Sequence, residues 1–243
     1  MILEIENIQC FYGLSHVIHG VSLTVDAGEV VSLLGRNGAG KTTSILSVVG
    51  LMRPRTGDIR VAGQSIAEAS VFEIRRMGVG WVPQGRRLFP NLTVRENIHL
   101  ATIKLGAKRE GEAFERAYSL FPRLEERRDT QAGNLSGGEQ QMLAVARALI
   151  GSPRLVLFDE PTEGLSPIVI ADIVRVVKEI AAEGAAVLLA EQNVRVALSV
   201  ADRHYILDHG EVRFAATTAE LEQREDVVSE YLGVKAKPAI GST

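Results

Sequence analysis

The 243 residues contain one cysteine, Cys10, so no internal disulfide can form and the chain suits a reducing compartment. Cys10 lies in an early strand-like stretch, where a buried, inert thiol is the simplest reading. Neither sign of charge dominates. The formal net charge is −3, which leaves no electrostatic footprint for a nucleic-acid partner. No apolar run reaches the ~18–20 residues that a membrane-spanning helix needs. The N-terminal MILEIENIQC also lacks the basic start and apolar core of a secretory signal. The expectation is a soluble protein whose membrane role, if it has one, comes through a partner. Hydrophobic residues make up 46%, enough for a substantial core in a chain of this length.

One stretch, VVSLLGRNGAGKTTSILSVVGL at 30–51, organises the rest. Val30, Val31, Leu33 and Leu34 have the length and β-branched character of a buried parallel strand. Ile45, Leu46, Val48, Val49 and Leu51 suit a buried helix. Between them lies Gly35-Arg36-Asn37-Gly38-Ala39-Gly40-Lys41-Thr42-Thr43, which contains G-x-x-x-x-G-K-[ST]. Glycines let successive N–H groups turn inward, and the helix start adds unpaired donors and the positive end of a dipole. Lys41 supplies a mobile cation for the β- and γ-phosphates, and Thr42 a hydroxyl for Mg²⁺. The loop indicates a nucleoside triphosphate site without choosing among kinases, GTPases and motor ATPases.

Upstream, Ile2, Leu3, Ile5 and Ile8 read as one strand and Val21, Leu23 and Val25 as another. Tyr12, in the segment between them, is either a packing residue or an aromatic face for adenine. Downstream, Thr56-Gly57-Asp58 reads as a turn before a hairpin strand around Ile59 and Val61. Val79, Trp81 and Val82 form a short strand ending at Pro83-Gln84-Gly85. Gln84 is either a turn residue or an amide that reaches a metal ion or an attacking water.

Residues 93–150 change to helical character, starting at a Thr93 cap. Lys108, Arg109, Glu110, Glu112, Glu115 and Arg116 read as a solvated helix face. At 135–141, LSGGEQQ opens another helix; Ser136, Gly137 and Gly138 offer a second row of exposed N–H donors, which also reads as a capping box. Leu155-Val156-Leu157-Phe158-Asp159-Glu160 is an apolar strand ending in two acids. Asp159 can hold Mg²⁺ through water, and Glu160 can orient or deprotonate the attacking water. The next helix carries Ile170, Ile173, Val174, Val177 and Ile180 on one face. A buried strand at 185–190 then closes with Glu191-Gln192-Asn193. A short helix and a hairpin turning at Asp208-His209-Gly210 follow, and a last helix is expected over about 218–232.

In this order the motifs resemble those of the ATP-binding subunit of ABC transporters. The likeness covers essentially residues 1–233, and LSGGEQQ is its most specific element. It implies an α/β P-loop NTPase (RecA-like) core with an N-terminal antiparallel β subdomain and a helical signature subdomain. The implied single domain runs over 1–233, with core and β subdomain at about 1–84 and 153–233 and helical subdomain at about 85–152. A flexible tail is expected at 234–243. The resemblance assigns Tyr12 to adenine stacking and residues 35–43 to the Walker A loop. Gln84 becomes a metal and nucleotide contact, Ser136, Gly137 and Gly138 the signature, Asp159 the Walker B metal ligand and Glu160 the catalytic glutamate.

Within the family, VPQGRRLFPNLTVREN at 82–97, EPTEGLSP at 160–167, AEQNVRVALSVADRHYIL at 190–207 and EYLGV at 230–234 resemble the shorter ATPase (LivF type) of branched-chain amino acid uptake systems. Importers of urea or short amides look similar. Two positions depart from the general pattern. Gln192 stands where most members have a histidine, so it can donate a hydrogen bond to the γ-phosphate but cannot carry charge near neutral pH. Ser166 stands where many have an aspartate. The implied machine is a face-to-face pair of ATPases, each triphosphate held between one Walker A loop and the other chain's signature. Its partners would be a longer sister ATPase (or a second copy when isolated), two membrane permeases and, indirectly, a periplasmic solute-binding protein. It would sit at the cytoplasmic face of the inner membrane, with ATP and Mg²⁺ as cofactors and no nucleic acid. Rival readings are a soluble ABC-type protein acting on DNA or ribosomes, which lacks support from any basic arm, and a small-molecule kinase, which leaves LSGGEQQ unexplained.

Overall fold

The computed structural model describes residues 1–103 and 107–233. The tail expected to fray from residue 234 lies outside the described residues. Strands β1 (Leu3–Tyr12) and β2 (Ser15–Val25) form an antiparallel hairpin with a two-residue turn. β3 (Val30–Leu34) leads into helix α1 (Lys41–Val48), followed by β4 (Thr56–Val61), β5 (Gln64–Ser65), α2 (Val71–Arg76) and β6 (Val79–Val82). The helical stretch comprises α3 (Val94–Thr102), α4 (Ala107–Leu120), α5 (Pro122–Glu126), a 3₁₀ turn at Ala132–Asn134 and α6 (Gly137–Leu149). The chain then runs through β7 (Leu155–Asp159), α7 (Pro167–Ala182), β8 (Ala186–Glu191), α8 (Val194–Val200), β9 (Arg203–Asp208), β10 (Glu211–Thr217), α9 (Thr218–Glu222) and α10 (Glu225–Leu232).

Two sheets result. The first is antiparallel with order β2-β1-β4-β5; the second has order β10-β9-β3-β8-β7-β6, parallel throughout except for β10. This is the α/β P-loop NTPase arrangement. Parallel strands need crossover connections, and α7 and α8 supply them around β7 and β8. Because both faces of the parallel sheet are covered, β3, β7 and β8 are buried at every position. One core lies between the two sheets and includes Leu3, Ile5, Val31, Ile45, Leu157 and Leu188. A second joins the opposite sheet face to the helical stretch through Phe121, Met142, Val145, Phe158, Ile173 and Val177. Cys10 is fully buried in the first core, its thiol 3.2 Å from Ser47 Oγ, and burial pushes the thiol pKa up.

Several local expectations are corrected. Thr56-Gly57-Asp58 is not a turn: it opens β4, paired with β1 across a register shift between Glu6 and Gln9. The buried stripe of α7 is Val169, Ile173, Val176, Val177 and Ile180, while Ile170 and Val174 are only partly covered. The charged face of α4 is not wholly solvated. The Arg116 guanidinium donates to Glu179 Oε1 at 2.9 Å and to both Glu183 oxygens at 2.6 and 2.7 Å, tying α4 to α7. The last helix is two, α9 and α10. Arg224 leaves helical geometry and its guanidinium turns forward onto Asp226, which lets Leu221 and Val227 both enter a small core beside Leu34 and Ile206.

Candidate nucleotide site

The C-terminal ends of β3, β7 and β8 lie side by side, where ligands bind in open α/β sheets. After β3 the chain makes the loop 35–40 and starts α1 on Gly40. This N-cap has φ 112°, a conformation closed to other residues, and a Cβ there would stand 2.6 Å from Ile18 Cδ1. Unlike α2, α3, α6 and α9, which all begin with capping boxes, α1 has no side-chain cap and no acid in its first turn. Its first N–H donors and dipole are thus open to an anion, as those of α7 also are. Arg36, Asn37 and Gly38 are exposed, whereas Gly35, Ala39, Gly40, Lys41 and Thr43 are buried and Thr42 is half-buried.

Lys41 is 4% exposed, yet its ammonium is fully engaged. It donates to Gly35 O at 2.8 Å and Arg36 O at 3.1 Å, and pairs with Glu160 Oε1 at 2.9 Å. A buried cation needs such compensation. Glu160 itself has φ 50°, unusual for a residue with a side chain; its N–H donates to Ala190 O at 2.9 Å, so the chain turns sharply as it leaves β7. Gln84 Nε2 donates to Glu160 Oε2 at 3.2 Å and Glu163 Oε2 at 3.1 Å. Next to this cluster, Thr42 Oγ1 donates to Asp159 Oδ1 at 2.9 Å. Burial raises the Asp159 carboxyl above its ordinary range, opposed by the Thr42 hydrogen bond.

Lys41, Gln84 and Glu160 thus form one contact cluster and Thr42 and Asp159 an adjoining pair, drawn from three separate stretches of the chain. Tyr12 is half-exposed at the end of β1, and Gln192 is exposed on the bend between β8 and α8. Ser136, Gly137 and Gly138 head α6, where Ser136 Oγ accepts from Glu139 N and the Glu139 carboxylate accepts from Ser136 N. Arg86 lies over this helix start and donates to Gln140 Oε1 at 2.9 Å. A cleft of about 510 Å³ is lined by residues from 84–90, by Gln140 and Gln141 of α6 and by residues from 160–164, with Gln84 bridging to Glu160 and Glu163 at its edge. The sequence reading gave no role to Glu163, Glu191 or Arg86. The signal for Glu191 was there: it closes an apolar strand as Asp159 does, one strand over.

A match to the ABC transporter family model spans residues 18–163. The chain is 39% identical over 231 residues to the high-affinity branched-chain amino acid transport ATP-binding protein BraG of Pseudomonas aeruginosa, covering 95% of this chain and 99% of that protein. It is 37% identical over 234 residues to the lipopolysaccharide export system ATP-binding protein LptB of Escherichia coli, covering 95% and 97%. Among solved structures, the dimeric MJ0796, a bacterial ABC transporter cassette, superposes with a TM-score of 0.81 at 25% identity, covering 89% of this chain and 98% of that one. These similarities and the nucleotide-site geometry agree, and the chain belongs to the ABC transporter ATP-binding family, as an ATP-hydrolysing subunit.

Proposed function

We propose that the protein energises an importer of branched-chain amino acids, as one ATPase of a pair bound peripherally to two membrane permeases at the cytoplasmic face. The observation that carries this is the match to BraG along nearly the whole length of both chains. No helix among the described residues is long and apolar enough to cross a membrane, so the link to the membrane runs through partners. A sister ATPase of related sequence, or a second copy of this chain, completes the pair, and a periplasmic binding protein delivers the solute. The cleft beside Gln84 is where permease motion meets the nucleotide site.

The contacts within the site support the following account of how it works. Lys41 is neutralised by Glu160 until nucleotide arrives. The β- and γ-phosphates replace the carboxylate at the ammonium, and Glu160 is released to take a proton from the attacking water. Tyr12 stacks on adenine, residues 35–43 wrap the phosphates, and Gln192 donates to the γ-phosphate. Ser136, Gly137 and Gly138 of the other chain face the nucleotide from the opposite side, the two glycines with their N–H groups while the Ser136 N–H stays on Glu139. Thr42 and Asp159 present two hard oxygens already within hydrogen-bonding distance, and a buried carboxylate of raised pKa gains from a cation; with Gln84 they suit Mg²⁺. Bound there, the metal would neutralise phosphate charge and orient the γ-phosphate.

The test has two parts. With ATP and Mg²⁺, Glu160→Gln is expected to stop turnover and accumulate a closed dimer by light scattering; full hydrolysis would remove Glu160 from its role. Deletion of the gene should abolish uptake of labelled leucine, isoleucine or valine. The similar match to LptB supports a second reading, lipopolysaccharide export, which would leave that uptake intact and disturb the outer membrane. Loss of urea or short-amide uptake instead would reassign the solute.

A further inference from the structure

Glu191 is a buried acid for which hydrolysis as described has no use. Its carboxylate is 2% exposed at the end of β8, beside Leu34, the last residue before the phosphate loop. Burying a carboxylate is costly unless its lone pairs are filled. Here Oε1 accepts from Thr162 Oγ1 at 2.7 Å and from Thr162 N at 3.3 Å, while Oε2 accepts from Asn193 N at 3.3 Å. Thr162 is also buried, two positions beyond Glu160. Asn193 in turn caps α8, accepting from Arg195 N and Val196 N. One carboxylate thus joins the loop that carries Glu160 to the loop that carries Gln192.

We propose that Glu191 is a positioning residue that fastens Glu160 and Gln192 into one unit, so that the water-activating carboxylate and the γ-phosphate donor keep a fixed relation as the site closes. This rests on the roles proposed above for those two residues. Neither Glu191 nor Thr162 would touch nucleotide. Gln192 is flanked on both sides by members of the pin, and Glu160 follows the strand paired with β8. Without the pin the two loops would close independently, and a small misplacement of reacting groups slows chemistry far more than it weakens binding.

The experiment is steady-state ATP hydrolysis by the full chain with Mg²⁺, using Thr162→Val, Thr162→Ser, Glu191→Gln and the Thr162→Val/Glu191→Gln double variant. Thr162→Val removes the 2.7 Å hydrogen bond at nearly constant shape, and Glu191→Gln removes the charge and one acceptor. Each is expected to lower kcat about tenfold with KM held within about twofold. The double variant should fall no further than the slower single, and Thr162→Ser, which keeps the hydroxyl, should hold the wild-type rate. Should Glu191→Gln fail to fold, by thermal melting, the Val/Ser pair at Thr162 decides. Wild-type kcat in Thr162→Val, equal slowing in Val and Ser, or multiplicative losses in the double variant would overturn the pin. Glu160→Gln in the same assay separates the levels. If it is dead while Thr162→Val is normal, only the pin fails; if it still turns over, both the pin and the reading beneath it fail.

Discussion

Two helices start beside glycines and are proposed to meet phosphate, and they are built in opposite ways. α1 starts from a loop buried at its two ends and exposed at residues 36–38, on a left-handed glycine, without a cap, with Lys41 and Thr42 already held by Glu160 and Asp159. α6 starts with a complete capping box at a partly exposed turn, and the box is the same device used by α2, α3 and α9. The first end brings the Lys41 charge and the paired Thr42 and Asp159 oxygens of its own. The second brings oriented N–H groups, with Arg86 at Gly137 and Arg127 paired with Glu139 at 3.6 Å, both cations already engaged within the chain. An end so equipped can add to a phosphate that is already bound, but is poorly equipped to capture one. That asymmetry is consistent with the proposal of a site divided between two chains.

The largest way to break the comparison is at Lys41. Lys41→Met should eliminate measurable ATP binding, and it strands Glu160 in the interior. The loss of one member of a buried pair costs about 3–5 kcal/mol, less if Glu160 takes up a proton, and denaturant unfolding of the nucleotide-free chain reads it. Glu160→Gln should cut turnover by about 10²–10⁴-fold. It should also tighten ATP binding, because the phosphates no longer compete with a carboxylate for Lys41; titration calorimetry checks the sign. At the other helix, a Cβ on Gly138 would lie 2.6 Å from Val169 Cγ2. Gly138→Ala should therefore destabilise by about 1–3 kcal/mol and weaken ATP-driven pairing while ATP binding by the isolated chain stays intact. Ser136→Ala should lose about 1 kcal/mol of cap energy, the smallest effect of the set.

A control lies away from both helices. His204 is fully buried between Ser32 Oγ at 2.6 Å and Thr218 Oγ1 at 2.8 Å, and burial lowers its pKa from 6.5 to about 4. The unfolded chain takes up a proton below pH 6.5 that the folded chain resists until about pH 4. Stability from this group is therefore complete above pH 6.5 and is lost as pH falls toward 4, by about 3 kcal/mol. Denaturant midpoints across that range should show it, and His204→Ala should flatten the slope.

Much of this was legible in the sequence because it is local. The strand, glycine loop and helix at 30–48 form one contiguous unit, and the two acids at the end of β7 mark a strand end where ligands bind in such sheets. The ion pair between Lys41 and Glu160 was not legible, since it depends on β3 and β7 being separated by one strand, β8. The break at Arg224 was missed because composition supports a helix on both sides of it. Glu191 was missed because an acid at a strand end has many solvated explanations, and only its burial against Thr162 distinguishes it. The turn at Thr56 failed for the opposite reason: pairing with β1 overrode a local turn signal.

The most direct measurement mixes two inactive variants, Lys41→Met and Gly138→Asp, each purified alone. A mixed pair joins the intact phosphate loop of one chain to the intact α6 start of the other. ATP hydrolysis well above the sum of the separate residual rates is the expected result. A mixture no faster than that sum would contradict the division of one nucleotide site between two chains.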